Sequence, residues 1–406
     1  MTHNTSTRGP ATDRAAAPRR VYLDNAATSW PKPEAVYQAV DDYLRHNGAP
    51  AGRGGYAEAA QVGSLVAGTR RRIADLLGLD DSRRVIFGLN GTDALNLAIH
   101  GLLADGDHVV TTDVEHNSVL RPLAAWEQAG RITVTRVRCD ERGVVDPAAV
   151  GQALKKKTRL VAVSHASNVT GAVQDVAAIA RLAHDAGALV LCDAAQTVGH
   201  FDVDIAALGV DLLAASGHKG LLGPLGTGVL TFAAHVPAIL ASVRQGGTGT
   251  ESESERQPEA LPSKYESGNL NVAGIAGLRA GVAYLAERGI ANVAEHGRQL
   301  TERLLQGLAE IQGVRIVGPR EAGARVPLVS IVVEGYDPQE VALALDASCR
   351  VQVRAGLHCA PRVHDRLGTL ASGGTVRFSL GPFTTAEDIE IACRAVAELA
   401  ASPLTH

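Results

Sequence analysis

Several things are scarce in this chain of 406 residues. It has only five cysteines (Cys139, Cys192, Cys349, Cys359 and Cys393), an odd number, and none forms a Cys-x-x-Cys pair. That excludes a disulfide framework and a structural zinc site, and it makes a reducing cytoplasm the default compartment. Net charge is also small, with a formal value of −4. A general electrostatic field able to hold nucleic acid or an anionic membrane is therefore not expected. No stretch approaches the roughly 20 apolar residues needed to span a bilayer. Residues 1–20 are rich in Thr, Ala, Arg and Pro and contain no apolar core of a secretory signal. They read as a disordered tail, with a transit peptide as the alternative.

What the chain does have is an ordinary soluble composition, 46 % hydrophobic and 20 % charged. From Val21 onward, short apolar runs alternate with helical periodicity. Strands are expected at Val85–Leu89, His108–Thr112, Ile132–Arg136, Leu160–Ser164, Ala188–Asp193 and Leu212–Ser216, with helices such as 93–103, 118–129 and 175–186 between them. Short, nearly all-apolar strands separated by helices indicate a mainly parallel sheet covered on both faces, with its ligand site at the carboxyl ends of the strands. After Gly268 the pattern changes. Helices at 275–288 and 290–311 precede a strand at 328–334 and a helix at 338–348. A strand pair (351–354 with 375–379) and a helix at 385–401 close a compact α+β unit. The expected division is a large α/β domain over 21–280, with 21–34 associating with the small one, and a smaller C-terminal α+β domain over 281–406. Residues 245–262 read as a polar surface loop.

The chemistry-bearing residues fall at strand ends. Lys219 lies in Ser216-Gly217-His218-Lys219-Gly220, just beyond an apolar strand, where burial would lower its pKa from about 10.4 and leave a nucleophilic amine. Taken alone it could be a surface lysine in a Gly-rich turn. Asp193 ends another strand, three residues before Gln196, and suits a partner for a protonated ring nitrogen or a helix cap. Gly91 and Thr92 open a helix and suit a phosphate, as any helix N-terminus does. His116, in Glu115-His116-Asn117-Ser118, is placed to lie flat on a ring or to be a plain loop residue.

Together these four strand ends resemble the cysteine desulfurase family, class V aminotransferases of the fold-type I pyridoxal 5'-phosphate (PLP) enzymes. The resemblance runs from Tyr22-Leu23-Asp24-Asn25-Ala26-Ala27-Thr28 to Arg377-Phe378-Ser379. It implies a fold-type I PLP-dependent transferase with a seven-stranded, mainly parallel sheet, working as a homodimer. By resemblance Lys219 is the Schiff-base lysine, Asp193 and Gln196 hold the ring, and His116 stacks on it. Gly91, Thr92, Ser216 and His218 bind phosphate. Asn168 contacts the cofactor oxygen or the substrate carboxylate, which Arg377 clamps, and Asn25, Ala26 and Arg354 lie at the substrate. The segment Arg354-Ala355-Gly356-Leu357-His358-Cys359-Ala360-Pro361 resembles the active-site cysteine segment of the group II enzymes, with a short loop between Cys359 and Arg377. Cys359 is then the sulfur-accepting nucleophile, its thiolate favoured by Arg354 and His358. One departure stands out: the family has Gly-Thr-x-Asn where this chain has Gly268-Asn269-Leu270-Asn271. In the family that threonine reaches the phosphate of the neighbouring subunit, a contact that falls here to the Asn269 amide.

The implied activity is conversion of L-cysteine to L-alanine, leaving a persulfide on Cys359 for an acceptor protein or a reductant. No metal, nucleic acid or membrane is involved. Alternatives within the class are selenocysteine lyase, cysteine sulfinate desulfinase, C–S lyase and aminotransferase. Outside it stands a non-catalytic sulfur carrier or scaffold. Iron–sulfur cluster assembly, tRNA thiolation and a dedicated biosynthesis are all open as the destination of the sulfur.

Overall fold

The computed structural model describes residues 19–52 and 54–401. The tail expected over 1–20 lies outside the described residues up to 18. Its last two residues are placed: Arg19 pairs with Asp388 at 2.5 Å, and Arg20 lies over the Trp30 ring.

A seven-stranded sheet runs in the order 85–88, 228–232, 212–216, 189–193, 158–164, 108–112 and 133–137. Only Gly228–Phe232 is antiparallel to its neighbours; the remaining pairings are parallel. The unbroken apolar character of these strands follows from burial on both faces. In Leu189–Asp193, Val190 and Cys192 enter one core while Leu191 enters the other, and Leu213/Ala215 and Leu212/Ala214 divide likewise.

A second sheet, antiparallel, joins Arg354–Gly356, Thr375–Ser379, Leu328–Val333 and Val314–Val317. The strand pair expected at 351–354 and 375–379 is divided. Val351–Gln352 pairs in parallel with Val21–Tyr22, and only from Arg354 does the chain pair with 375–379. Val21 and Leu23 thereby belong to the core of the second sheet, with Leu304, Ile331 and Phe378.

Residue 280 falls inside the helix Val272–Arg288, whose Ile275, Leu278, Val282 and Leu285 pack into the core of the large sheet. The following helix, Ile290–Ala309, gives Leu300, Leu304 and Leu308 to the small core. Gly289 turns the chain between the two helices with φ +80°, and the second helix passes from the large core at Val293 to the small one at Leu300. The first of these helices also approaches the segment after Lys219 closely. A Cβ on Gly281 would stand 2.4 Å from the Leu221 carbonyl, and one on Gly277 would stand 2.6 Å from Pro224. No helix among the described residues is long and apolar enough to cross a membrane.

Candidate active site

At the carboxyl ends of the parallel strands lies a cavity of about 200 Å³. Gly91, Thr92, His116, Asn168, Asp193 and Gln196 line it, as do Ser216, His218, Lys219, Arg354, Arg377 and Ala26. Twelve sequence-predicted residues thus meet in one place. Three others do not line the cavity: Asn25, Cys359 and Asn269.

One end of the cavity is built for an anion. Asn90 caps the helix Gly91–Leu102 by accepting from the Asp93 amide at 2.9 Å, and the Ala94 amide bonds back to the Asn90 carbonyl. The Gly91 and Thr92 amides are the remaining donors at this helix end. Gly91 has no room for a side chain, since a Cβ would meet Ser216 Oγ at 2.5 Å. The Thr92 hydroxyl lies 2.8 Å from Ser118 Oγ. His116 Nδ1 accepts from the Ser118 amide at 3.1 Å, which leaves the proton of the neutral ring on Nε2. Burial and the positive charge of Lys219 hold the His116 pKa down near about 4.

At the cavity floor, burial raises the pKa of Asp193, against the Ala195 amide and the charge of Lys219. Burial likewise lowers Lys219, to about 8, with Asp193 opposing and Arg377 and Arg354 adding to the shift. A neutral amine is thus accessible near physiological pH. Gln196 donates to the Ala26 carbonyl at 3.2 Å and holds that stretch against the floor.

At the other end stand two arginines. Arg377 is buried, donating to the Asn168 carbonyl at 3.0 Å and to Asp24 at 2.9 Å. Arg354 Nη2 reaches Cys359 Sγ at 3.6 Å. Cys359 sits half-buried in a turn with His358, the two residues having φ of +60° and +49°. Such left-handed conformations cost a bulky residue on the order of 1–3 kcal/mol each. They are held by the Asn117 amide on the Cys359 carbonyl (2.7 Å) and by Asn168 Nδ2 on the His358 carbonyl (2.6 Å).

Two expectations need correcting. His358 does not favour the thiolate: its ring is buried against Thr375, and burial keeps it neutral, well below the usual imidazole pKa. Asn25 turns from the cavity, donating to the Ser379 carbonyl at 3.0 Å and accepting from the Trp30 amide at 3.2 Å. Asn269 is exposed, a few residues beyond Glu266, which Arg70 and the Phe87 amide tie down.

Glu115 went unread in the sequence although it adjoins His116. It is fully buried and takes hydrogen bonds from Thr112 Oγ1 (2.6 Å) and Ser164 Oγ (2.7 Å). Burial lifts its pKa to about 7 despite those bonds. Asp24 and Ser118 were likewise visible only as parts of motifs; nothing in their spacing marks them as partners of Arg377 and His116.

Whether PLP fits can be judged from the donors. Two buried polar atoms on cavity-lining residues, His218 Nδ1 and Arg377 Nε, have no partner among the described residues. A helix N-terminus and hydroxyls at one end, a buried carboxylate and amine at the floor, and guanidinium groups opposite suit a phosphorylated pyridine aldehyde with an amino-acid substrate.

The profile of the class-V aminotransferase family matches residues 21–391. The chain is 38 % identical over 385 residues to a protein of Methanothermobacter thermautotrophicus described as a probable cysteine desulfurase, covering 94 % of each. A protein of Halalkalibacterium halodurans with the same description is 34 % identical, over 91 % of this chain and 90 % of that one. Among solved structures, the apo cysteine desulfurase of Thermococcus onnurineus superimposes with a TM-score of 0.88 at 32 % identity, covering 94 % of this chain and 95 % of that one. The cysteine desulfurase CsdA of Escherichia coli gives 0.84 at 29 %, covering 94 % of each chain. With its strand-end lysine, its buried carboxylate and a cysteine under an arginine, the chain belongs to the cysteine desulfurase family of class-V aminotransferases.

Proposed function

We propose that the protein converts L-cysteine to L-alanine with PLP, leaving the sulfur as a persulfide on Cys359. The observation that carries this reading is the convergence of Lys219, Asp193 and Arg377 on one cavity whose Arg354 also touches the Cys359 sulfur. Bound through Lys219, PLP supplies an electron sink for charge developing at the substrate α-carbon. Asp193 holds the ring nitrogen, and the Gly91–Thr92 helix end with Ser216 and His218 holds the phosphate. His116, neutral at physiological pH, packs over the ring. Arg377 takes the substrate carboxylate through its planar guanidinium. Lys219, its amine depressed to about 8, would remove the α-proton as a base. The Cys359 thiolate, beside Arg354, attacks the substrate sulfur. The new S–S bond takes the place of the Cβ–S bond, the released electron pair stays on the substrate Cβ, and protonation there together with return of the α-proton to Cα completes alanine.

Asn269 serves the phosphate of a second subunit in a homodimer; its exposed position in the single chain supports this reading. An acceptor protein or a thiol reductant removes the sulfur. Five free cysteines suit a reducing compartment such as the cytoplasm. The test is release of alanine and sulfide from L-cysteine with dithiothreitol, comparing wild type with Cys359→Ala. Equal amounts of both products, lost in the variant, are expected. Undiminished activity in the variant, or pyruvate in place of alanine, would move the protein to the lyase or transferase branch.

A further inference from the structure

The peptide bond that precedes Lys219 is gripped from outside the cavity. Four donors converge on the His218 carbonyl oxygen: the Ser29 amide at 3.0 Å, Ser29 Oγ at 3.1 Å, Thr28 Oγ1 at 3.3 Å and Lys32 Nζ at 3.3 Å. Lys32 also donates to the Ser29 carbonyl at 2.9 Å and to Ser29 Oγ at 2.8 Å. An ammonium has three donors, and here three acceptors take them. Lys32 therefore closes a ring through Ser29 onto His218. Prolines at 31 and 33 flank it and restrict the backbone on either side.

The other end of the same short segment is held by the small sheet. Asp24 accepts from Arg377 at 2.9 Å, the Asn25 amide bonds to the Ser379 carbonyl at 3.2 Å, and the Ala26 amide bonds to Ser379 Oγ at 2.8 Å. The strap 24–32 thus links the arginine facing the substrate side to the peptide carrying the reactive amine. Without Lys32 the Ser29 hydroxyl could rotate away, leaving the His218 carbonyl with its weaker donors.

We propose that Lys32 is a positioning residue for Lys219, pinning the strap to the His218 carbonyl so that the lysine amine is presented at a fixed place on the cavity floor. This rests on the desulfurase reading for the role of Lys219, but not for the grip itself. Burial lowers the Lys32 pKa to about 8, so the ammonium that makes all three bonds is the form present below that pH.

Lys32→Met keeps the stem and removes the three donors; Lys32→Arg keeps a cation with donors. In the full-length protein loaded with PLP, Lys32→Met is expected to speed hydrogen exchange of the amides from Lys219 to Leu222 by about tenfold, as a local opening would. It lowers kcat about tenfold with KM for cysteine little changed, since misplacement of a reacting group acts on the chemical step. After removal of PLP, the variant recaptures it on Lys219 more slowly, read from the return of the visible band. Lys32→Arg restores at least half of each effect, and Ser29→Ala slows recapture in the same direction. Wild-type exchange and recapture rates in both Lys32→Met and Ser29→Ala would overturn the proposal. A wild-type enzyme that makes no alanine would instead sink the functional reading, while the exchange comparison would still decide the role of Lys32.

Discussion

Among single residues, Glu115 has the strongest consequence not tied to the reaction. Its carboxyl is buried beside the Asp193 charge, and its pKa stands near about 7 rather than 4.5. A folded-state value above the unfolded one means that the group favours the fold below pH 4.5, and that contribution is lost as pH rises through 7. Glu115→Gln mimics the protonated acid at every pH and accepts the same Thr112 hydrogen bond. The stability of wild type relative to this variant is therefore expected to fall by about 2–3 kcal/mol between pH 5 and pH 8, at roughly 1.4 kcal/mol per pKa unit. Urea unfolding of both proteins at the two pH values checks it; parallel curves would mean that Glu115 stays charged in the fold.

The helix Val272–Arg288 shows how an element serves a site that it does not line. Its small residues let it lie directly against the segment 221–224 that follows Lys219. The obstruction at Gly281 is a backbone carbonyl, which cannot swing aside as a side chain can. Gly281→Ala should then destabilise the protein by about 1–2 kcal/mol, with overpacking outweighing the better helix propensity of alanine. A thermal melt lower by a few degrees, with a matching loss of PLP affinity, is the expected result. An unchanged or higher melting temperature would show that the helix can retreat without cost.

For the molecule as a whole, five buried or half-buried histidines set the response to acid. His116, His165, His200, His218 and His364 are each held down to about 4, burial being the main cause in every case. A depressed folded pKa contributes stability above the unfolded value of 6.5 that disappears as pH falls toward 4. Because these rings share one fold, their proton uptake on unfolding adds. Stability should fall by at least about 4 kcal/mol between pH 6.5 and pH 5, beyond the roughly 2 kcal/mol that one group alone allows over this range at about 1.4 kcal/mol per pH unit. Denaturant unfolding across this range measures it directly. A flat profile would place the rings in contact with water.

Periodicity placed six of the seven strands of the large sheet and missed the antiparallel Gly228–Phe232, while the resemblance implied the seventh strand and joined the strand-end motifs into one site. Apolar strands buried on both faces and residues at their carboxyl ends are local patterns, and local patterns survive in one dimension. Lys219, Asp193, His116 and Gly91 were legible because each lies at, or within four residues of, the end of its own strand. What the sequence could not decide depends on contacts across long separations. An association of 21–34 with the small unit was expected, but not the parallel pairing of Val21–Tyr22 with Val351–Gln352 that takes Val21 into the small core. Arg377 meets Asp24, His358 turns to Thr375 rather than to Cys359, and Lys32 closes on His218. Each is a side-chain direction fixed by packing between segments remote in sequence, and neither propensity nor spacing carries that information.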